Sequence, residues 1–140
     1  MANLYSTRAT ASAGRNGQVK TDDGLLDLDL AYPKEMGGSG AATNPEQLFA
    51  AGYSACFSNA LLHVAREGKV ALKTAPVTAE VGLGPNASGG FALSVSLEIQ
   101  LDLPQDAAVE LTRSAHQICP YSNAVRGNLE VALSVNGQVL

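Results

Sequence analysis

Cys56, Cys119, His63, His116, Arg15 and Glu46 are the side chains whose types and positions could do chemistry. A cysteine attacks or ligates only as its thiolate. Cys119 stands directly before Pro120, at the predicted end of a helix. That end carries partial negative charge and disfavours a thiolate, so Cys119 makes a poor first nucleophile. Cys56 lies in the middle of a long apolar stretch, where no helix dipole helps it. Burial alone would raise its pKa, so a reactive Cys56 needs a cation brought to it. The plainer reading treats both cysteines as small buried hydrophobes.

His63 follows Cys56 by seven residues, roughly two helical turns or about 10 Å along an axis. Donors on one zinc lie only about 3–4 Å apart, so these two cannot share an ion. His116 and Cys119 could, but two ligands do not make a site, and neither a metal nor a cofactor is expected. His63 reads as a hydrogen-bonded core or interface residue, and His116 as a helix C-terminal residue favoured by the dipole. Arg15 sits between Gly14 and Gly17, on a turn where a guanidinium can swing; by itself it reads as a solvated turn residue. Glu46 opens an apolar helix, where a carboxylate suits the dipole without further purpose.

The chain has 140 residues, with 9 Lys+Arg, 13 Asp+Glu and a formal net charge of −4. Hydrophobic residues make up 46% and charged residues 16%, which argues against disorder. The length predicts one domain, residues 1–140, able to bury a core without staples. A mild acidic excess without a basic cluster argues against nucleic acid and anionic membrane surfaces. Met1 to Ala13 has no apolar run of signal-peptide type, which predicts a cytoplasmic protein with reduced thiols. Two cysteines without a CxxC spacing make no disulfide framework. Leu48 to Ala65 holds no Asp, Glu, Lys or Arg, but its Gly, Ser, Asn and His suit a soluble core, every face meeting protein.

Several elements must position these groups. Leu4 to Ala11 and Gln18 to Thr21 read as strands joined at Gly14-Arg15-Asn16-Gly17, and Asn-Gly is a hairpin motif. Leu26, Leu28 and Leu30 alternate with Asp27 and Asp29 after the Asp23-Gly24 turn, completing an antiparallel meander. Pro33 to Thr43, with Gly37-Gly38-Ser39-Gly40, reads as a mobile loop. Asn44-Pro45-Glu46-Gln47 starts a helix, with Asn as N-cap, running to about Lys69 with Gly68 as C-cap. A strand region from Val70 to Gly84 is interrupted by Pro76. Alternation from Phe91 to Leu103 predicts the clearest strand. Asp106 is expected to cap a second helix with the stripe Ala108, Leu111, Ala115 and Ile118, and Leu129 to Val135 gives a final strand. The order predicts an α+β fold with an antiparallel sheet.

Gly14-Arg15-Asn16-Gly17, Asp23-Gly24-Leu25, Gly37-Gly38-Ser39-Gly40, Thr43 to Phe57 (TNPEQLFAAGYSACF) and Cys119 to Asn128 (CPYSNAVRGN) together resemble the organic hydroperoxide resistance (Ohr) branch of the OsmC family of thiol peroxidases. The resemblance covers essentially the whole chain. It implies that Cys56 is the peroxidatic cysteine and Cys119 the resolving one. It implies that Arg15 activates the thiolate and that Glu46 holds the arginine. It also implies an intertwined α+β homodimer with two sites at the subunit interface. The implied activity is reduction of alkyl and lipid hydroperoxides to alcohols, with dihydrolipoyl groups of lipoylated proteins as reductant.

These roles are physically coherent. A guanidinium about 4 Å from a thiolate contributes roughly 4 kcal/mol at an effective dielectric near 20. That is up to roughly three pKa units, enough to ionise a buried thiol. The resulting sulfenate would condense with Cys119 if the two Cα atoms lie within about 7 Å. Glu46 and Cys56, ten residues apart, are separated by roughly 15 Å along a helix, which predicts that Arg15 and Glu46 serve the other subunit's Cys56. Phe49, Tyr53 and Phe57, near the Cys56 face, and Tyr121 could line an apolar substrate pocket, with Gly52 allowing close approach. A non-enzymatic redox sensor and a small-ligand-binding module are the alternatives.

Overall fold

The computed structural model describes residues 2–140, in two compact units that divide between Leu48 and Phe49. In the first unit, β1 (Ala9–Ser12), β2 (Gln18–Thr21) and β3 (Asp27–Asp29) form an antiparallel meander in that order. Leu4 to Arg8 stay outside the sheet, so β1 is shorter than its alternation predicts. The β1–β2 connection is a 3-10 turn, Gly14–Asn16, entered through left-handed Ala13 and Gly14. Gly17 is obligatory there: a Cβ would fall 1.6 Å from the Ser12 carbonyl oxygen. The turn thus projects Arg15 from a rigid base.

The Gly37–Gly40 segment is folded rather than loose. A 3-10 turn at Lys34–Met36 precedes it. Backbone N–H groups of Met36 and Gly38 bind the Pro33 carbonyl, Gly37 binds Lys34, and Gly40 binds Tyr32, all at 3.0 Å. A side chain at Gly38 would meet the Tyr32 carbonyl oxygen at 2.2 Å, so the glycine lets this loop wrap Tyr32.

Helix α1 (Pro45–Glu67) starts as its sequence predicts: Asn44 Oδ1 accepts from the Gln47 N–H at 2.9 Å. At its far end Val70 N–H reaches the Ala65 carbonyl and Lys69 N–H the Arg66 carbonyl. The left-handed residue of this cap is Lys69 (φ 56°), not Gly68. A Cβ there is strained. Lys69→Gly is therefore expected to stabilise the fold by about 0.5–1 kcal/mol, read as a higher urea midpoint.

The second unit carries a four-stranded sheet of β4 (Val77–Pro85), β5 (Phe91–Ile99), β6 (Val131–Val135) and β7 (Gln138–Val139), in that order. Pro76 bounds β4, as its missing N–H requires. The sheet is mixed, not purely antiparallel: β5 and β6 run parallel. The reason is the connection, since α2 (Gln105–Ile118) and α3 (Pro120–Val125) form a crossover between them. β5 ends at Ile99 rather than Leu103. Beyond it the Asn136 side chain accepts from the Leu101 N–H and donates to its carbonyl, both at 2.9 Å, replacing a strand partner.

Helix α2 begins behind Pro104, and Asp106 sits within the first turn without capping it. Its buried stripe is Ala108, Thr112 and Ala115, then Cys119; Ile118 is exposed. Thr112 is tolerated because its hydroxyl donates to the Ala108 carbonyl at 2.8 Å. Tyr53, Phe57, Ala60 and Leu61 of α1, Val95, Leu97 and Ile99 of β5, Ala108 and Ala115 of α2, Cys119 and Val135 share one core. Each fully buried large side chain here contributes roughly 1.5–3 kcal/mol.

Helix α1 is long and apolar enough to cross a membrane by length and composition. One face packs in this core, but Ala51, Ala55, Asn59 and His63 are exposed. Not every face of α1 meets this chain's own residues, which corrects the expectation of a wholly buried helix. His63 is correspondingly not a core residue; its Nε2 stands 3.9 Å from Glu67 one turn on.

Candidate active site

The chain brings its four candidate residues together as two pairs. Arg15 and Glu46 meet in a bidentate ion pair: Nη1 donates to Oε2 at 2.7 Å and Nη2 to Oε1 at 2.6 Å. Their side chains are only 22% and 16% exposed, so water screens the pair weakly. The Tyr32 ring centroid lies 6.0 Å from the guanidinium carbon, a cation–π support that the Gly37–Gly40 loop holds in place. The Arg15 pKa rises through its hydrogen bond to Glu46, against burial, so the cation is permanent. The Arg15 hydrogen bonds hold the Glu46 carboxyl below its usual range, also against burial.

That depression has a consequence for stability. A carboxyl whose folded value is depressed stabilises the fold above its unfolded value, about 4.3, and loses that contribution as pH falls. The urea midpoint is therefore expected to drop between about pH 5 and 3. In Glu46→Gln the drop is smaller, because the titrating group is gone; an equal drop would show that other carboxyls carry it.

The second pair is Cys56 and Cys119, both unbridged. Cys56 lies mid-α1 and half-buried; Cys119 is fully buried between α2 and α3. The two cysteines belong to one packed cluster, Cys56 at its margin and Cys119 inside it. Burial pushes the Cys56 thiol up, and the neighbouring Cys119 adds to this; the Tyr121 backbone N–H opposes it. Cys56 within this unit is thus poised to need a cation, as reasoned from its position on the helix.

Aromatic rings surround the thiols. Phe49, Tyr53 and Tyr121 pack at centroid distances of 5.6–6.2 Å, and Phe57 lies 6.4 Å from Tyr53. Tyr53 and Phe57 have no exposed surface, whereas Tyr121 is 38% exposed. Phe49 also lines a mixed groove of about 350 Å³ with Phe91, Leu93, Leu129, Asn86 and Asn128. Gly52 has the role its place suggests: a Cβ there would meet the Tyr121 hydroxyl at 2.6 Å. Gly52→Ala is expected to displace the Tyr121 ring and destabilise the fold by about 1–3 kcal/mol. Tyr121→Phe in the same chain should return part of that loss, as a urea double-mutant cycle would show.

Three neighbouring residues were not among the candidates: Tyr32, and Ser122 and Arg126 of the CPYSNAVRGN stretch. Ser122 is fully buried and its Oγ lies 2.7 Å from the Tyr53 hydroxyl and 2.9 Å from His116 Nδ1. Arg126 donates to the His116 carbonyl at 2.6 Å and to Asn123. The helix dipole does not govern His116. Burial, then Arg126, lowers its pKa, so its ring is neutral.

The fold is α+β and carries one partly accessible and one buried free cysteine. The OsmC-like protein family model matches residues 37–134. A crystal structure from Vibrio cholerae O1 biovar eltor, described as an organic hydroperoxide resistance protein with captopril in one of its active sites, is 68% identical. It covers 100% of this chain and 97% of that one, with a TM-score of 0.98. The organic hydroperoxide resistance protein of Legionella pneumophila is 54% identical, over 96% of this chain and 98% of that one, with a TM-score of 0.92. OhrB of Bacillus subtilis, an organic hydroperoxide resistance protein, is 43% identical over 94% of this chain and 98% of its own length. The chain belongs to the OsmC/Ohr family, within its organic hydroperoxide resistance branch.

Proposed function

We propose that this protein is a cysteine peroxidase that reduces alkyl and lipid hydroperoxides to alcohols and serves in the response to oxidative stress. The observation that carries this reading is a half-buried free Cys56 and a fully buried free Cys119 packed in one core cluster. The Cys56 thiolate attacks the distal peroxide oxygen; the O–O bond breaks, the alkoxide takes a proton and Cys56 becomes a sulfenic acid. Cys119 then condenses with it: the S–S bond forms, the S–O bond breaks and water leaves. A dihydrolipoyl dithiol, free or on a lipoylated protein, exchanges the disulfide back to two thiols.

Arg15, clamped by Glu46, supplies the cation that Cys56 lacks and stabilises the departing alkoxide. In this reading the two pairs meet across a homodimer. Support comes from apolar surface that one protomer leaves open: Leu4, Tyr5 and Leu25 are 104%, 77% and 86% exposed. The outward face of α1 adds Ala51 and Ala55. Phe49 and Tyr121, backed by Tyr53 and Phe57, form the apolar wall that favours bulky hydroperoxides. The reading places the enzyme in the cytoplasm, where a dithiol pool is available.

Incubation with cumene hydroperoxide and dihydrolipoamide tests this. Catalytic peroxide loss, abolished in Cys56→Ser, is the expected result, with intact mass falling by two hydrogens after one equivalent of peroxide alone. One equivalent consumed without turnover would instead make the chain a redox sensor, and none consumed would make it a ligand-binding module.

A further inference from the structure

Disulfide closure makes a demand that the first oxidation does not. Two sulfurs on different helices must come within bonding distance, with Cα atoms about 4.4–6.8 Å apart. Cys56 lies mid-α1, and Cys119 sits at the corner where α2 ends and α3 begins. Its backbone serves both helices there: the N–H donates to the Ala115 carbonyl and the carbonyl accepts from the Asn123 N–H, each at 2.9 Å. Helix α3 has 6 residues, too few to be stable in isolation. Contacts from outside α3 must therefore fix this corner against α1.

Ser122 is placed to do this. Its Oγ lies 2.7 Å from the Tyr53 hydroxyl and 2.9 Å from His116 Nδ1. Tyr53 precedes Cys56 by three residues, His116 precedes Cys119 by three, and Ser122 follows Cys119 by three. Each member of the bridge is thus about one helical turn from a thiol. Ser122 and Tyr53 have no exposed surface, and His116 is half-buried. Apart from the two thiols, no other side chain among the described residues hydrogen-bonds α1 to α2 or α3. Arg126 closes the corner from the far side, donating to the His116 carbonyl at 2.6 Å. A buried bridge whose members are all paired favours one arrangement, because slipping would leave polar atoms buried without partners.

We propose that Ser122 is a positioning residue for disulfide closure: by joining Tyr53 on α1 to His116 on α2, it sets the Cys119 sulfur against Cys56. This role rests on the peroxidase reading above and concerns its second step. No proton or electron passes through Ser122. The Cys56 sulfenic acid and the Cys119 thiol form the S–S bond, the S–O bond breaks, and water leaves. Ser122 supplies geometry alone. A sulfur held at its partner reacts as if at very high concentration, and a displacement of about 1 Å costs on the order of 10²-fold. A sulfenic acid that waits is instead carried to sulfinic acid by a second hydroperoxide. The bridge thus decides how much hydroperoxide the protein tolerates before over-oxidation stops it.

Wild-type protein and Ser122→Ala are each mixed with one equivalent of cumene hydroperoxide, quenched at intervals with acid and read by intact mass, with dimedone trapping the sulfenic acid. Disulfide formation in Ser122→Ala is expected to slow on the order of 10²-fold, while the first step, peroxide consumption by Cys56, keeps the wild-type rate. Sulfinic acid then appears at hydroperoxide levels that leave wild type wholly as disulfide. Should Ser122→Ala not fold, Tyr53→Phe, which loses one hydroxyl and keeps the ring, carries the test with the same slowing of closure. Closure at the wild-type rate overturns the positioning role. Equal slowing of both steps overturns it too, since it marks Ser122 as a stabiliser of the fold only. Wild-type protein that forms no disulfide overturns the peroxidase reading and this role with it, whereas fast closure in wild type and variant alike overturns this role alone.

Discussion

Arg15→Ala is expected to lower hydroperoxide turnover at neutral pH by about three orders of magnitude. Burial pushes the Cys56 thiol above its ordinary value, and only a nearby cation reverses that. Loss of about 4 kcal/mol of attraction returns the sulfur to its protonated form. The sign with pH follows. As pH rises, the thiolate refills by about tenfold per unit, so the gap between variant and wild type narrows until the free thiol has titrated. It does not close, because the guanidinium also stabilises the alkoxide as the O–O bond breaks. Initial rates across pH 6 to 10 with cumene hydroperoxide check both parts. Equal rates at pH 7 would remove the activation argument. Glu46→Gln should fall between the two, since it frees one end of a bidentate clamp without removing the cation.

Cys119→Ser is expected to convert a catalyst into a single-use reagent. The first hydroperoxide still oxidises Cys56, because the resolving thiol has no part in that step. The sulfenic acid then lacks its partner, and further hydroperoxide carries it to sulfinic acid, which dithiols do not restore. Turnover with dihydrolipoamide should fall at least about a hundredfold. Intact mass distinguishes the outcomes: loss of two hydrogens in wild type, gain of two oxygens in the variant. A variant that cycles at the wild-type rate would show that Cys119 resolves nothing.

The parts of the fold that local chemistry controls were legible. Asn44, Pro45 and Gln47 mark the start of α1 because a cap is satisfied within three residues. Pro76 was legible as a break because proline has no N–H to donate, but the strand expected from Val70 forms only after it, at Val77. The bounds of β2, the meander and the turn that carries Arg15 follow from alternation and glycine. The need of Cys56 for a cation was legible too, since burial and a mid-helix position act on a thiol wherever the fold puts it.

Other features depend on partners distant in sequence. The parallel pairing of β5 with β6, the strand end at Ile99 closed by Asn136, and the short helix α3 had no local signature. Thr112 entered a buried stripe that polarity alone assigns to solvent, because a carbonyl one turn back satisfies it. Lys69, not the neighbouring glycine, took the left-handed cap position, which the fold imposes against local preference.

By itself the amino-acid sequence determined the α+β class and offered the candidate side chains, for these are properties of residue type, periodicity and turn chemistry. Tertiary structure alone decided which of them meet. The Arg15–Glu46 clamp closes over 31 residues, the Tyr53–Ser122 hydrogen bond over 69, and neither distance is encoded in a window that a helix or hairpin can span. A hydrogen bond acts over about 3 Å, and only the packed fold brings groups so far apart in the chain to that range.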